Sequence, residues 1–323
     1  MERRRMIKAA AALVTLGYCS LLVYQGGVTF NLQESRPITD QVTDLPIEPV
    51  TKRSVYDSGQ NKNITIDDVF ITVKTTRYHQ YTRLPIILKT WFQLARDQIW
   101  FFTDVDNRQH QQQTNNHMVN TNCSPSHQRD HLCCKTAVEY DRFLESGKKW
   151  WCHFDDDNYV NVPRLVAVLQ RYDHTMDWYL GRPSINEPVI LIKKAKNTMF
   201  WFGTGGAGYC LSRSLSLKML PLASGGKFES LCEKIRFPDD VTIGFISEHL
   251  LRNKMTFVSE FHSHLEQMKL IPSESFRDQI SVGFSRNEKQ WNVVNVPGFD
   301  ERYDPTRYVV TRVRELINNN NIP

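Results

Sequence analysis

Short runs of β-branched and aromatic residues alternate with helical segments along most of the chain, and this alternation is what most limits its possible fold. The first run, at 69–73, reads "VFITV", and two more follow as "QIWFFT" at 98–103 and "KWWCHF" at 149–154. The stretches 83–95 and 137–147 between them have the apolar spacing of helices. Strands that alternate with helices are typical of an α/β domain. The sequence therefore predicts an α/β fold with a mostly parallel central sheet.

Two other segments carry more specific expectations. The Gln-, Asn- and His-rich stretch 107–117 is predicted to be a surface loop. Two paired strands are predicted around "FWFGTGGAGYCLS" at 200–212, on either side of a tight glycine-containing segment.

Three adjacent carboxylates, Asp155, Asp156 and Asp157, directly follow the third apolar run. Like charges in contact repel, so the triplet does not serve stability. A helix cap would need only one Asp, and a calcium loop would need ligands at alternating positions and a distant Glu. The favoured interpretation is a carboxylate cluster at the carboxyl end of a strand, which holds Mg²⁺ or Mn²⁺ against a substrate phosphate.

Three short motifs could complete such a site. The stretch "TGGAG" at 204–208 is a tight loop in which backbone without Cβ can approach a ligand closely. The motif "FPDD" places Asp239 and Asp240 at the start of a predicted helix. The motif "FHSHLE" places His262 and His264 on one face of a predicted extended segment, and histidine beside an acidic cluster suits a transition metal.

The N-terminus predicts membrane insertion. Four basic residues within 1–8 precede an apolar segment, 9–30, that is about long enough to cross a bilayer as a helix. The positive-inside rule predicts a cytoplasmic tail at 1–8, a signal-anchor helix at 9–30 and a lumenal orientation beyond it, with a cleaved signal peptide as the alternative. A polar stem at 31–62 leads to the folded domain at 63–317, and the Asn-rich tail at 318–323 is predicted to be disordered.

Cysteine usage agrees with a lumenal, oxidising environment. Of the seven Cys, Cys19 lies in the apolar segment; the other six allow 15 pairings, so their number does not give the connectivity. Adjacent Cys133 and Cys134 do not fit the C-x-x-C clip of a zinc site. Asn63 and Asn122 begin N-glycosylation sequons. The net charge of +5 is mild and its basic residues are dispersed beyond the N-terminus, which argues against nucleic-acid binding.

The chain resembles the Fringe glycosyltransferases over about residues 66–300. The motifs that carry the resemblance occur in the family's order: "VFITVKTTR", "TNCS", "DDDNYVN", "GRPS", "TGGAGYCLSR", "PDDVTIGFI" and "FHSHLE". The resemblance implies a glycosyltransferase of the GT-A fold, anchored in the Golgi membrane as a type II protein. It also implies transfer of N-acetylglucosamine from UDP-GlcNAc, with inversion and Mn²⁺, to the 3-hydroxyl of O-linked fucose on EGF-like repeats, notably those of Notch.

The resemblance implies roles for particular side chains. Asp240 matches the family's catalytic base, and its neighbour Asp239 suits the helix N-cap. Partial burial and the charge of Asp239 would raise the basicity of Asp240. The other matches are with donor-binding and metal-binding positions: Arg83 and Asp155 for the donor, and Asp156, Asp157 and His264 for the metal.

Two disulfides are expected. Cys152 leads into the acidic triplet and Cys210 follows the glycine loop, so a bond between them would join two walls of the donor site. Cys123 is expected to pair with Cys134. Cys133 and Cys232 have no counterpart in the family pattern, and their roles stay open.

Two other functions are compatible with the residues. A related β1,3-galactosyltransferase would share the triplet but use UDP-galactose. A catalytically silent lumenal binding protein on the same fold would be expected to lack a metal ligand or the base. Every one of those residues is present in this chain.

Overall fold

A central sheet of seven strands organises the structure, a computed structural model that describes residues 64–192, 197–287, 290–296, 304–309 and 311. The described strands are β1 Val69–Lys74, β2 Ile99–Thr103, β3 Met118–Asn120, β4 Trp150–Asp155, β5 Asn158–Val160, β6 Tyr179–Gly181, β7 Val189–Leu191, β8 Thr198–Phe200, β9 Tyr209–Ser212, β10 Thr256–Phe257, β11 Ser281–Gly283, β12 Ser285–Arg286 and β13 Trp291–Asn292. The described α-helices are α1 Leu84–Lys89, α2 Arg108–Gln113, α3 Arg129–Ser146, α4 Val162–Leu169, α5 Arg213–Ala223, α6 Lys227–Ile235 and α7 Asp239–Gly244; a π-helical turn, Phe245–Leu250, continues α7.

The strand order in the sheet is β10-β6-β9-β4-β1-β2-β3. All neighbouring pairs are parallel except the two that include β9, which runs antiparallel to both β4 and β6. The predicted α/β class and mostly parallel sheet are therefore confirmed. Parallel strands bring their carboxyl ends to one edge, so the ends of β1, β2 and β4 meet there.

The residues of β4 alternate between two hydrophobic clusters, because successive side chains of a strand point to opposite faces. Trp150 and Cys152 belong to one cluster, and Trp151 belongs to the other with Tyr140 and Phe143 of α3. All five residues are fully buried. Burial on both faces explains why the central strands read as continuous apolar runs.

The expectation of a surface loop at 107–117 is wrong, because most of this stretch is helical. Asn107 caps α2 by accepting a hydrogen bond from the backbone N of His110 at 3.1 Å. The His110 side chain is buried. The stretch is so polar that its sequence predicted neither this helix nor the short strand β3 that follows it.

The predicted strands around 200–212 both form, but they do not pair with each other. β8 pairs with β7 in a separate antiparallel hairpin. β9 instead lies between β4 and β6 in the main sheet. The glycine-containing segment 204–208 thus connects the hairpin to the centre of the sheet and lies beside the end of β4.

Three disulfides join parts of the described chain. Cys123 is bonded to Cys134 and Cys152 to Cys210, as the sequence predicts. Cys152 and Cys210 are direct partners across β4 and β9, with a Cα–Cα distance of 4.1 Å. The third bond, Cys133–Cys232, was not predicted, because its two residues are 99 positions apart and meet only when α3 packs against α6.

Several expectations fall on residues outside those described. They are the cytoplasmic tail, the anchor at 9–30, the stem, the sequon at Asn63 and the tail at 318–323. Among the described residues, no helix has the length and apolar character needed to cross a membrane.

We expect Cys133→Ser with Cys232→Ser to lower the free energy of unfolding by about 2–5 kcal/mol, because the bond closes a long loop in the unfolded chain. Urea unfolding of the double variant measures this loss. Non-reducing peptide mapping supplies the control, and a free Cys133 thiol in the unaltered protein would contradict the pairing.

Candidate active site

The acidic triplet consists of the last residue of β4, Asp155, and the two turn residues that lead to β5, Asp156 and Asp157. The Asn158 side chain holds this turn from two sides: its Oδ1 accepts from the backbone N of Asp155 at 3.1 Å, and its Nδ2 donates to the backbone O of Gly206 at 2.8 Å. The Tyr308 hydroxyl donates to the backbone O of Asp157. Neutral hydrogen bonds therefore fix the turn against the glycine segment and leave the three carboxylates for other partners.

The alternative in which the triplet caps the following helix is wrong. Asn161 is the N-cap of α4, and its Oδ1 accepts from the backbone N of Arg164 at 3.1 Å. The three Asp residues precede β5 and therefore lie before that cap in the chain.

Asp156 has protein partners for both of its carboxylate oxygens. Oδ1 accepts from Arg83 Nη1 at 2.6 Å, and Oδ2 accepts from Thr75 Oγ1 at 2.8 Å. Arg83 Nη1 also lies 3.4 Å from Asp157 Oδ2, so the expected donor-binding arginine does reach the triplet. The metal-ligand role expected of Asp156 stays a prediction. An ion bound there would have to share the carboxylate oxygens of Asp156 with Arg83 and Thr75.

Asp157 and His264 lie side by side, and each has a buried polar atom with no hydrogen-bond partner among the described residues. Asp157 Oδ2 is 3.4 Å from His264 Nδ1. The two atoms without a partner in the described part of the chain are Asp157 Oδ1 and His264 Nδ1. Burial, and then the charge of Asp155, raise the pKa of Asp157 despite nearby Arg83. Burial lowers the pKa of His264, which favours the neutral imidazole. An unpaired carboxylate oxygen beside a neutral imidazole nitrogen suits a divalent ion such as Mn²⁺.

Two glycines allow His264 to occupy this position. A Cβ on Gly206 would lie 3.2 Å from His264 Cε1, and one on Gly283 would lie 2.5 Å from the backbone N of His264. Within the described ranges, no three His, Cys, Asp or Glu side chains group closely enough to hold a metal ion on their own. An ion held by Asp157 and His264 would keep open positions for substrate phosphates, as is usual for ions of this kind.

Lys74 is a buried cation at the centre of the site. It ends β1 in register with Asp155, and its Nζ lies 3.5 Å from Asp155 Oδ1 and 2.5 Å from Asp239 Oδ2. Burial alone would raise the pKa of Asp155, but Lys74 and then His153 hold that pKa below its usual range. Burial also opposes the charge on Lys74, yet Asp239 and then Asp155 raise the pKa of Lys74 above its usual range. Both groups are therefore charged at neutral pH.

A buried hydrogen-bonded network extends from Lys74 into the sheet. Glu139 Oε2 lies 2.6 Å from His153 Nδ1 and accepts from Thr72 Oγ1 at 2.6 Å, and Trp151 Nε1 donates to Thr72 Oγ1 at 2.9 Å. Burial alone would lower the pKa of His153, but Glu139 reverses this and the pKa rises to about 9. No local sequence pattern predicts this network, and the one signal of it is a lysine at the end of an apolar strand.

The expected role of Asp239 as the helix cap is wrong. Pro238 is the N-cap of α7, and Asp239 is its first residue. The buried Asp239 Oδ2 accepts from Lys74 Nζ at 2.5 Å and from Thr136 Oγ1 at 2.6 Å. Burial alone would raise the pKa of Asp239, but Lys74 lowers it. Asp239 is therefore the counter-ion of Lys74.

Asp240 faces the glycine segment and has an unusually basic carboxylate. Its Oδ2 accepts from the backbone N of Gly205 at 3.1 Å, and its Oδ1 accepts from the backbone N of Val241 at 2.8 Å. Burial, and then the charge of Asp239, raise the pKa of Asp240 to about 6. A Cβ on Gly205 would lie 3.7 Å from both Asp155 Oδ2 and the Cβ of Asp240. Gly205 therefore separates the two carboxylates.

His262 does not join His264 at the triplet, contrary to the pattern-based expectation. Its Nε2 lies 2.9 Å from Gln279 Oε1, and its Nδ1 lies 3.0 Å from Arg182 Nη1 and 3.2 Å from Glu266 Oε2. His262 therefore belongs to a separate polar cluster.

The sequon residue Asn122 is exposed and has a positive φ of 58°. Its exposure is compatible with glycosylation, which stays a prediction.

Comparison with known proteins decides the family of the chain. A family model described as Fringe-like matches residues 64–316. The chain belongs to the Fringe family. Fringe glycosyltransferase of Drosophila melanogaster is 55% identical over 287 residues, which are 84% of this chain and 70% of that protein. β-1,3-N-acetylglucosaminyltransferase radical fringe of Xenopus laevis is 47% identical over 250 residues, which are 76% of this chain and 74% of that protein.

Solved structures add no argument to the family assignment. A glycosyltransferase involved in the glycosylation of the major capsid of PBCV-1 has a TM-score of 0.35 and 10% identity, over 66% of this chain and 93% of that one. The match to the Fringe family model, in contrast, includes every expected donor, metal and base residue: Arg83, Asp155, Asp156, Asp157, Asp240 and His264.

We expect Asp239→Asn to lower the free energy of unfolding by at least about 2 kcal/mol, because it removes the nearest counter-ion of buried Lys74. Urea unfolding measures the loss. The control is Asp278→Asn, at a carboxylate whose side chain is 54% exposed, where we expect a change within about 0.5 kcal/mol. Equal free energies of unfolding for the two variants would show that the buried charge of Lys74 does not need Asp239 as its counter-ion.

Proposed function

We propose that this Fringe-family chain is an inverting glycosyltransferase that transfers N-acetylglucosamine from UDP-GlcNAc in β1,3 linkage to O-linked fucose on EGF-like repeats of Notch-type receptors. The names of the relatives support the donor sugar and the linkage. The observation that carries the proposal is the pair of unlike carboxylates on either side of Gly205. Asp155 is strongly acidic, while Asp240 has a pKa of about 6.

Asp240 is suited to act as the general base. A fucose hydroxyl is a weak nucleophile until a positioned group takes its proton, and a base works best with a pKa near the operating pH. With a pKa of about 6, Asp240 is ionised at pH 7 and still more basic than an ordinary Asp. The backbone N–H groups of Gly205 and Val241 orient its two oxygens.

The opposite side of the site is suited to the donor. Asp155 keeps its charge beside Lys74 and can accept hydrogen bonds from a sugar or ribose hydroxyl. Arg83, which pairs with Asp156, offers a guanidinium beside the expected diphosphate position. Asp157 and His264 would hold Mn²⁺, which when bound neutralises charge that develops on the UDP leaving group.

The cellular setting is part of the same proposal. The basic and apolar N-terminus supports a type II orientation in the Golgi membrane, anchored at 9–30 with the catalytic domain in the lumen. The three disulfides are compatible with an oxidising lumen.

The decisive experiment is transfer from radiolabelled UDP-GlcNAc to an O-fucosylated EGF-like repeat, with and without Mn²⁺. We expect Mn²⁺-dependent transfer, little transfer from UDP-galactose, and none to the repeat without fucose. Preference for UDP-galactose would favour the related galactosyltransferase. Failure with both donors would favour the silent binding protein.

We expect His264→Ala to lower the transfer rate by about 100-fold or more, because the ion would then lose its imidazole ligand. The same variant should bind Mn²⁺ more weakly in a titration without donor. The control is His174→Ala, because His174 lies near Asp68, which precedes β1 at the opposite edge of the sheet. Unchanged Mn²⁺ affinity in His264→Ala would rule out this ligand.

We expect kcat to fall as the pH is lowered through about 6, because Asp240 then becomes protonated and cannot accept the fucose proton. Asp240→Asn keeps the size of the side chain but removes the base, so kcat should fall at least ~100-fold. Its affinity for UDP-GlcNAc should change little. A variant that keeps the wild-type rate and pH profile would show that another group is the base.

A further inference from the structure

The site has two walls that come from distant parts of the chain. Asp155, at the end of β4, forms the donor wall. Asp239 and Asp240, at the start of α7, form the wall that carries the base. Lys74 Nζ reaches both walls, since it lies 3.5 Å from Asp155 Oδ1 and 2.5 Å from Asp239 Oδ2. It comes from a third element, strand β1, which lies between β4 and β2 in the sheet.

A second buried lysine shows what an ordinary buried ion pair looks like in this chain. Lys135 Nζ lies 3.0 Å from Asp104 Oδ1 and donates to the backbone O of Thr75 at 2.8 Å. Both side chains of this pair are almost fully buried. Among the described residues, Lys135 therefore pairs with one carboxylate, whereas Lys74, which is also buried, is shared between two.

We propose that Lys74 is a positioning residue that couples the donor wall to the base wall by sharing one buried positive charge between Asp155 and Asp239. The inference rests on the proposed function only in the roles it gives to Asp155 and Asp240. Neutralising Asp239 frees Lys74 to pair more closely with Asp155, and the ammonium then competes with the donor hydroxyl for that carboxylate. Loss of the Asp239 charge at the start of α7 thereby weakens binding of the donor at Asp155.

Sharing one cation has a thermodynamic signature that two separate ion pairs lack. When either carboxylate is lost, Lys74 keeps the other as its counter-ion. When both are lost, a charge is buried without either partner, so the double loss costs more than the sum of the single losses. Groups that share a partner are expected to be non-additive in this way, whereas independent sites add.

The first measurement is a cycle of Asp155→Asn, Asp239→Asn and the double variant, followed by urea unfolding. The double variant should shift the unfolding midpoint by more than the sum of the two single shifts. In the Lys74→Met background the excess over the sum should become much smaller, although His153 stays 3.5 Å from Asp155 Oδ1. Lys74→Gln, which keeps a polar group in the buried position, provides the same comparison if Lys74→Met does not fold. Additive shifts with Lys74 present would overturn the proposal.

The second measurement is the Kd of UDP-GlcNAc in the presence of Mn²⁺. Asp239→Asn, although not a donor contact, should raise this Kd about threefold or more, and by less than about 1.5-fold when Lys74 is already Met or Gln. The matched control is Lys135→Met, in which Asp239→Asn should keep its full effect. Equal effects of Asp239→Asn with and without Lys74 would overturn the proposal. If the unaltered chain does not bind UDP-GlcNAc, the proposed function fails; the unfolding cycle needs no donor and still decides the role of Lys74.

Discussion

The parallel pairing of β1 with β4 places Lys74 beside Asp155 and Thr72 beside His153, and the polar interior of the site depends on that register. A slip of one residue would turn these side chains to the opposite face of the sheet and replace them with apolar ones. Charged groups buried in pairs often contribute little net stability, because desolvation offsets their attraction. The apolar residues of the two clusters account for folding, and the buried charges are better explained by the positions they fix at the carboxyl end of the sheet.

The same buried charges shift the pKa values of the carboxylates in opposite directions. Lys74 holds the pKa values of Asp155 and Asp239 down, so both stabilise the fold above their unfolded pKa, and that stability is lost as the pH falls through their folded values. Asp240 behaves in the opposite way. Burial and Asp239 raise its pKa to about 6, so its favourable contribution is present below the unfolded pKa and is lost as the pH rises through about 6. A base that is useful at neutral pH therefore lowers stability there.

Features set by local pattern could be predicted from the sequence, and features set by long-range packing could not. The apolar runs predicted β1, β2 and β4, and the position of the triplet after a strand predicted where the site lies. The glycines at 204–208 predicted that a ligand approaches this backbone closely. In the structure, the groups closest to the Cβ positions of Gly205 and Gly206 are side chains of the protein itself. The Cys133–Cys232 bond and the Lys74–Asp239 pair join residues far apart in the chain, and no local pattern marks them. Asp239 resembled a helix cap because Asp is common at helix starts, where it can act as a cap or, as here, as the counter-ion of a buried lysine.

Two disulfides tie down the chain segments next to the donor wall and the base wall, the two walls that Lys74 contacts. Cys152–Cys210 links β4 to β9, which follows the glycine segment, and so ties that segment to the strand that ends at Asp155. Cys133–Cys232 links α3 to α6, the helix directly before α7, and Cys133 Sγ also lies 3.8 Å from the backbone O of Phe237. Covalent bonds thus limit the movement of the strand beside the donor wall and of the segment before the base. Within this outer frame, the Lys74 ammonium contacts a carboxylate of each wall.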